Sequence, residues 1–175
     1  NRIIRGVASR YEVFRKNFAL LLGRVIGRSV SMLPRRLAAS VKQEIKIKAI
    51  RIPYSKTAYM SVNSTLDISR SRFPFAEPST VEWIEKQFRQ GDIFYDVGAN
   101  LGAVSLIAAT FLDQRCKIYA FEPVPSTFST LVQNVMHNNF GDTISTFMIP
   151  LSDQSRIDSF FTAASYQDRA LIHFL

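Results

Sequence analysis

The stretch after Gly91 constrains the fold most, because apolar runs of strand length alternate there with helical patterns. In chain order, strands and helices are expected at 93–97, 103–112, 117–121, 125–138 and 143–149. This β-α-β-α-β order predicts right-handed crossovers and a parallel sheet with helices on both faces. Ligands of such sheets bind at the carboxyl ends of the strands, so functional residues are expected at that edge.

The charge of the chain is divided unevenly along its length. Residues 1–60 hold 14 Lys and Arg against 2 Asp and Glu, whereas residues 61–175 hold 8 against 12. A basic arm on a mildly acidic domain favours contact with an anionic partner, such as lipid headgroups, over nucleic-acid binding by the whole domain. A solvated helix face without a partner is the simpler alternative, and it stays open.

A long amphipathic helix is expected in this basic region. Apolar residues recur there at three- and four-residue steps between Arg10 and Leu33, and Pro34 ends the pattern. The aromatic and leucine face of this helix is expected to pack on the domain. A peripheral membrane helix is the alternative, since cationic residues beside Phe and Leu suit a membrane interface.

The segments between this helix and the sheet predict a small extension. Alternation over 45–49 indicates a strand that forms a hairpin with 58–62 across a turn at 53–56. Residues 63–77 are rich in Ser, Arg and Pro without periodicity, so they are expected to form a surface linker.

These elements divide the chain into an N-terminal extension over residues 1–76 and an α/β domain over 77–175. The domain is expected to open with a helix that begins at Pro78 and ends at Gly91. One or two further strands are expected within 157–175.

Cysteine content and hydropathy exclude several classes of protein. Cys116 is the single cysteine, so no intrachain disulfide or cysteine-based zinc site can form, and no metal site is predicted. Every apolar stretch is far shorter than the roughly 20 residues of a transmembrane helix. A cytoplasmic location is expected, with peripheral membrane contact as the alternative. Because the chain begins with Asn1 rather than Met, both ends are expected to be incomplete.

A glycine-rich turn follows the first parallel strand, whose end carries Asp96. Gly98, Asn100 and Gly102 alternate along this turn. Glycine bares the backbone where a ligand approaches, and Asn tolerates the left-handed conformation of a tight turn. Glu122 follows the second strand 20 residues after Gly102, about where nucleotide-binding sheets place a carboxylate for ribose hydroxyls. Together these residues predict a cofactor site.

The charge of Asp96 discriminates between candidate cofactors. S-adenosylmethionine carries a cationic ammonium and a cationic sulfonium, whereas NAD and FAD would present a pyrophosphate to this turn. The electrostatics therefore favour S-adenosylmethionine, and an NAD(P)-binding Rossmann oxidoreductase is the alternative. A nucleic-acid methyltransferase stays open as a third reading because residues 1–60 are basic, although nucleic acid is not the expected partner.

Four sequence blocks resemble the FkbM family of methyltransferases: residues 91–102, 118–123, 131–139 and 151–153. The resemblance implies a Rossmann-like class I methyltransferase sheet that binds S-adenosylmethionine. It also implies O-methylation, with a sugar or another hydroxylated small molecule as the acceptor.

The resemblance assigns a role to each matching site residue. Contacts to the methyl donor are implied for Asp96, Gly98, Asn100 and Gly102. The ribose contact is implied for Glu122, and a border of the adenine is implied for Ser152 and Asp153.

One block of the family is missing. Members continue into a fourth strand with an acidic D-x-E-G block, and no such block follows Asp153 before Leu175. Only the first strands of the sheet are therefore expected. The acceptor pocket and the catalytic base normally come from the later strands, so no catalytic residue is assigned. The 175-residue chain alone is expected to bind the donor weakly without turnover.

Overall fold

The computed structural model describes residues 2–45, 49–52, 55–72, 77–161 and 169–174. Its backbone groups into two compact units, residues 1–46 and 47–175. Residues 49–72 thus belong with the sheet, in the second unit. The division of the chain at residue 76 stays a prediction.

The first unit is helical. Helix α1 runs over Arg2–Ser31 and α2 over Arg35–Glu44. The predicted helix is confirmed and begins earlier than expected, while α2 had no counterpart in the sequence prediction. Pro34 separates the two helices with an extended backbone, φ −51° and ψ 140°. Its ring also disfavours a helical conformation of Leu33, the residue before it. Packing of the apolar face of α1 on the domain stays a prediction.

The second unit begins with the predicted hairpin. Strand β1, Ile50–Arg51, pairs antiparallel with β2, Tyr59–Met60. The hairpin is therefore confirmed, although its first strand lies later than the expected 45–49. Residues 46–48, 53 and 54 of the predicted hairpin lie outside the described residues.

A short helix, α3, occupies Thr65–Arg70, where an irregular linker was expected, and that prediction is wrong over these residues. Ser64 accepts a hydrogen bond from the Asp67 N–H at 3.1 Å, and Asp67 Oδ2 accepts one from the Asn63 N–H at 2.9 Å. The first bond satisfies an N–H group that the first turn of a helix leaves unpaired. The second bond holds Asn63, the residue before the N-cap, against the helix. Residues 73–76 of the predicted linker lie outside the described residues.

The main sheet confirms the predicted α/β fold with parallel strands. Its elements are α4 (Pro78–Gln87), β3 (Ile93–Val97), α5 (Ala103–Phe111), β4 (Lys117–Phe121), α6 (Pro125–His137) and β5 (Ile144–Phe147). The strands are parallel in the order β3-β4-β5, with Asp96 beside Ala120. Leu106, Ile118 and Leu131, each 0% exposed, form the centre of the core between strands and helices.

Helices cover one face of this sheet in the described residues. Phe94 and Asp96 of β3 are buried, whereas Ile93, Tyr95 and Val97 are exposed. The prediction of helices on both faces is therefore wrong for this part of the sheet. Strand order explains the difference: both crossovers step to the same side, so right-handed connections place α5 and α6 on the same face.

The chain continues into a second antiparallel pair. Strand β6, Arg156–Phe161, pairs with β7, Arg169–Phe174. The strands predicted near the end of the chain are thus confirmed. In the described residues, no helix combines the length and the apolar character needed to cross a bilayer.

Candidate functional site

The glycine-rich turn between β3 and α5 adopts the conformation that its residues predict. Gly98, Asn100 and Gly102 have φ values of +78°, +53° and +87°. These left-handed conformations are open to glycine and tolerated by Asn. Three such residues at alternate positions curl the backbone tightly above the end of β3.

Hydrogen bonds hold this turn against β4 and α6. The N–H groups of Gly98 and Ala99 both donate to the Phe121 carbonyl at 2.9 Å. Asn134, which is fully buried on α6, donates from Nδ2 to the Leu101 carbonyl at 2.9 Å. The Oδ1 atom of Asn134 accepts the Ser61 N–H at 2.6 Å. One amide therefore connects the chain after β2 to the glycine-rich turn.

Gly102, which directly precedes α5, lies close to Leu131 of α6. A Cβ atom added to Gly102 would lie 2.6 Å from Cδ1 of Leu131, a side chain that is itself fully buried. This position therefore requires glycine both for its positive φ and for the space. Gly102 shapes the site, and it is not among the residues that line the pocket described below.

Asp96 lies at the end of β3 with its carboxylate against the start of α5. Its Oδ2 atom accepts hydrogen bonds from the Ser105 N–H at 3.1 Å and from the Ser105 hydroxyl at 2.5 Å. Burial raises the pKa of Asp96, and the two bonds from Ser105 lower it in part. The pKa rises because burial removes water from around the carboxylate, and this disfavours its charged form.

Glu122, directly after β4, is also buried and joins two loops. Its Oε2 atom accepts the Asn100 N–H, and its Oε1 atom accepts the Val124 N–H, both at 2.9 Å. Burial raises the pKa of Glu122, while these two N–H donors and then the charge of Arg70 lower it; the charge of Asp96 raises it further. The charge of Asp96, at the end of the neighbouring strand, therefore affects the protonation of Glu122.

A pocket opens at the carboxyl end of β3. Its lining residues are Arg70, Asp96, Gly98, Ala99, Asn100, Leu101, Ala103 and Val104. The structure thus brings together three of the predicted donor contacts. Glu122 adjoins this wall through its bond to the Asn100 N–H.

Ser152 and Asp153 are not among the residues that line this pocket. They follow β5, and the Ser152 hydroxyl donates to Asp153 Oδ1 at 3.1 Å. Asp153 is exposed. Their assignment to the adenine stays a prediction.

Two features of the pocket were missed by sequence reasoning. Arg70, at the end of α3, is a cation in the wall, and no local pattern relates it to Asp96, 26 positions further along the chain. The Oδ1 atom of Asn100 is buried and has no hydrogen-bond partner among the described residues. A buried oxygen of this kind usually has a partner, so Asn100 presents an acceptor that a ligand can use. No metal-binding cluster of three or more His, Cys, Asp or Glu occurs in the described part of the chain.

Comparison with known proteins finds a relative of this chain by sequence. The chain is 30% identical over 95 residues to hexuronic acid methyltransferase AglP of Haloferax volcanii. The matched region is 51% of this chain and 38% of AglP, so the chain spans about two fifths of that relative. No family model matches, and the resemblance to FkbM methyltransferases stays a prediction.

Solved structures also resemble the chain. TYW2 of P. horikoshii, in complex with MeSAdo, is 20% identical with a TM-score of 0.43, covering 73% of this chain and 63% of TYW2. Precorrin-6y C5,15-methyltransferase of Geobacter metallireducens is 16% identical with a TM-score of 0.37, covering 42% of this chain and 37% of that protein. At these scores, neither likeness bears on function.

Proposed function

We propose that the second unit binds S-adenosylmethionine as the donor part of a methyltransferase. The proposal rests on a pair of buried carboxylates, Asp96 and Glu122. They lie at the ends of neighbouring strands, beside the glycine-rich turn. Burying anions without a cationic partner is costly, and a cationic donor would offset that cost. The sequence similarity to a hexuronic acid methyltransferase supports the same reading.

The start of α5 argues against the dinucleotide alternative. In dinucleotide-binding sheets, the pyrophosphate occupies the N-terminus of the helix after the first strand. Here Asp96 accepts the Ser105 N–H at the start of that helix. The protein's own anion thus stands where a pyrophosphate would lie, and the two would repel each other.

The predicted contacts fit this donor as follows. Asp96 would attract the cationic methionine end, and Gly98 and Gly102 keep the turn free of side chains. Asn100 offers its unpartnered Oδ1. Glu122 would bind the ribose diol, because each carboxylate oxygen accepts one backbone bond here and retains a second lone pair.

The donor would supply an activated methyl group for direct transfer to a nucleophile. The residues described here bind and orient it, and the turn shields one side from water. For the acceptor we propose a hydroxyl of a sugar or a similar small molecule, on the basis of the AglP similarity. Ser152 and Asp153 are proposed at the adenine edge. No residue is assigned as the catalytic base.

Calorimetric titration with S-adenosylhomocysteine and, separately, with NADH tests the proposal. We expect saturable binding of S-adenosylhomocysteine and none of NADH. Asp96→Asn should weaken that binding about tenfold or more, the usual loss for a charge-assisted contact. Asp113→Asn removes the same charge from an exposed position and should change nothing. Tighter binding of NADH than of S-adenosylhomocysteine would overturn the assignment.

A further inference from the structure

We infer that Arg70 binds the carboxylate of the donor's amino-acid group and so selects a donor that carries an amino acid. This inference rests on the proposed function. Arg70 and Asp96 line the same pocket, so its wall presents one cation and one anion. An α-amino acid group carries both charges at once, as a carboxylate and an ammonium.

The position of Arg70 is fixed from two directions. Its Nη1 atom donates to the hydroxyl of Thr127, a buried residue in the first turn of α6, at 3.2 Å. Helix α3, which ends with Arg70, is held in place by the side chain of Asn63, whose Nδ2 donates to the Thr130 hydroxyl at 3.2 Å. The guanidinium is therefore held at the pocket before any ligand binds, which reduces the entropy lost on binding.

The remaining donors of Arg70 are available to a ligand. A guanidinium has five N–H donors, and one of them serves Thr127. Among the described residues, no carboxylate lies within ion-pair distance of Arg70. Its charge nevertheless reaches Glu122, whose pKa it lowers after the larger effects of burial and backbone bonds. Arg70 can thus form a forked pair with a carboxylate, the geometry for which arginine is suited.

A purely structural role for Arg70, joining α3 to α6, gives a different expectation. Loss of such a tie would loosen the pocket for every ligand alike. A carboxylate contact would affect only ligands that carry the carboxylate. S-adenosylhomocysteine and 5′-methylthioadenosine form the required pair, because the second has the adenosine and the thioether without the amino-acid group.

The experiment measures the affinity of both ligands for the wild-type chain and for Arg70→Met. We expect Arg70→Met to weaken S-adenosylhomocysteine at least tenfold and to change methylthioadenosine less than twofold. Arg70→Lys keeps the charge without the fork and should lie between wild type and Arg70→Met. The matched control is Arg72→Met, since Arg72 is exposed and does not line the pocket.

Equal weakening of both ligands, or unchanged binding of S-adenosylhomocysteine, would overturn the role of Arg70 while leaving the proposed function in place. A wild-type chain that binds neither ligand would overturn the proposed function, and this inference with it. Thermal unfolding of each variant verifies its fold. If Arg70→Met does not fold, the ratio of the two affinities in Arg70→Lys decides the matter in the same way.

Discussion

The ends of β3 and β4 carry similar carboxylates that are held in different ways. Asp96 and Glu122 are 8% and 6% exposed, and each accepts two hydrogen bonds. Both bonds to Asp96 come from Ser105 on α5, so this anion is fixed to a helix. The bonds to Glu122 come from two separate loops. The two carboxylates are therefore similarly buried but differ in role. Asp96 places a carboxylate against one helix, whereas Glu122 also connects two backbone segments of the site.

The largest effect is expected at the turn that the two strand ends share. Gly102→Ala should lower the free energy of unfolding by about 3 kcal/mol, since it adds backbone strain to a clash with Leu131. Gly91→Ala is the control, because Gly91 has a positive φ with open space around it and should show the strain alone. Urea unfolding measures both. Equal losses in the two variants would show that the expected clash with Leu131 does not contribute.

A smaller effect is expected from Glu122→Ala, in ligand binding. Loss of the ribose contact should weaken S-adenosylhomocysteine by about 2 kcal/mol, or roughly thirtyfold. Because the two N–H donors of Asn100 and Val124 also lose their acceptor, hydrogen exchange at these amides should accelerate. Asp96→Asn should leave the exchange of both amides unchanged. Faster exchange at both amides in Asp96→Asn would remove the contrast between the two strand ends.

The smallest effect is expected in the pH dependence of stability. Burial raises the pKa of both carboxyl groups above the ordinary values of 3.8 for Asp and 4.5 for Glu. The folded state then holds protons more tightly than the unfolded state, so their contribution to stability falls as pH rises from those values through the raised ones. Asp96→Asn should flatten this fall. In the wild type, the hydrogen bond from the Ser105 hydroxyl lowers the pKa of Asp96. Ser105→Ala removes this bond, so the pKa of Asp96 should rise and the loss of stability should extend to higher pH.

Urea unfolding at a series of pH values from about 4 upward measures this dependence. Asp113→Asn, at an exposed position, is the control and should follow the wild type. A stability that rises with pH specifically because of Asp96 would contradict the stated direction.

Local sequence predicted the sheet well. The apolar runs at 93–97 and 117–121 became β3 and β4 with the expected bounds, because a glycine or a charged residue interrupts the pattern beside each run. The left-handed Asn100 followed from its place between two glycines. The chain after β2 is harder to predict, because its composition, rich in Ser and Arg, is typical of a linker. Ser64 and Asp67 nevertheless have the spacing of a helix N-terminus, and the short helix α3 begins there.

Properties that depend on tertiary arrangement could not be read locally. The uncovered face of the sheet follows from strand order, which no segment encodes alone. Arg70 reaches the pocket because α3 packs on α6 through side chains more than 55 positions apart, such as Arg70 and Thr127. Periodicity and motif spacing carry no information about such a contact. The hydrogen bonds of Asn134 to Leu101 and Ser61 likewise join residues far apart in the sequence, so no local pattern predicts them.

The two contacts of Asn134 make the segment directly after β2 part of the structure that supports the site. The side-chain amide of Asn134, on α6, hydrogen-bonds both to the backbone of Ser61 and to the glycine-rich turn that follows β3. Deleting the residues up to and including Ser61 would leave the buried Oδ1 atom of Asn134 without its hydrogen-bond donor. The glycine-rich turn, which the same side chain contacts, would then be held less firmly. The backbone at Ser61 thereby helps to shape the site of the proposed donor, although it is not among the residues that line the pocket.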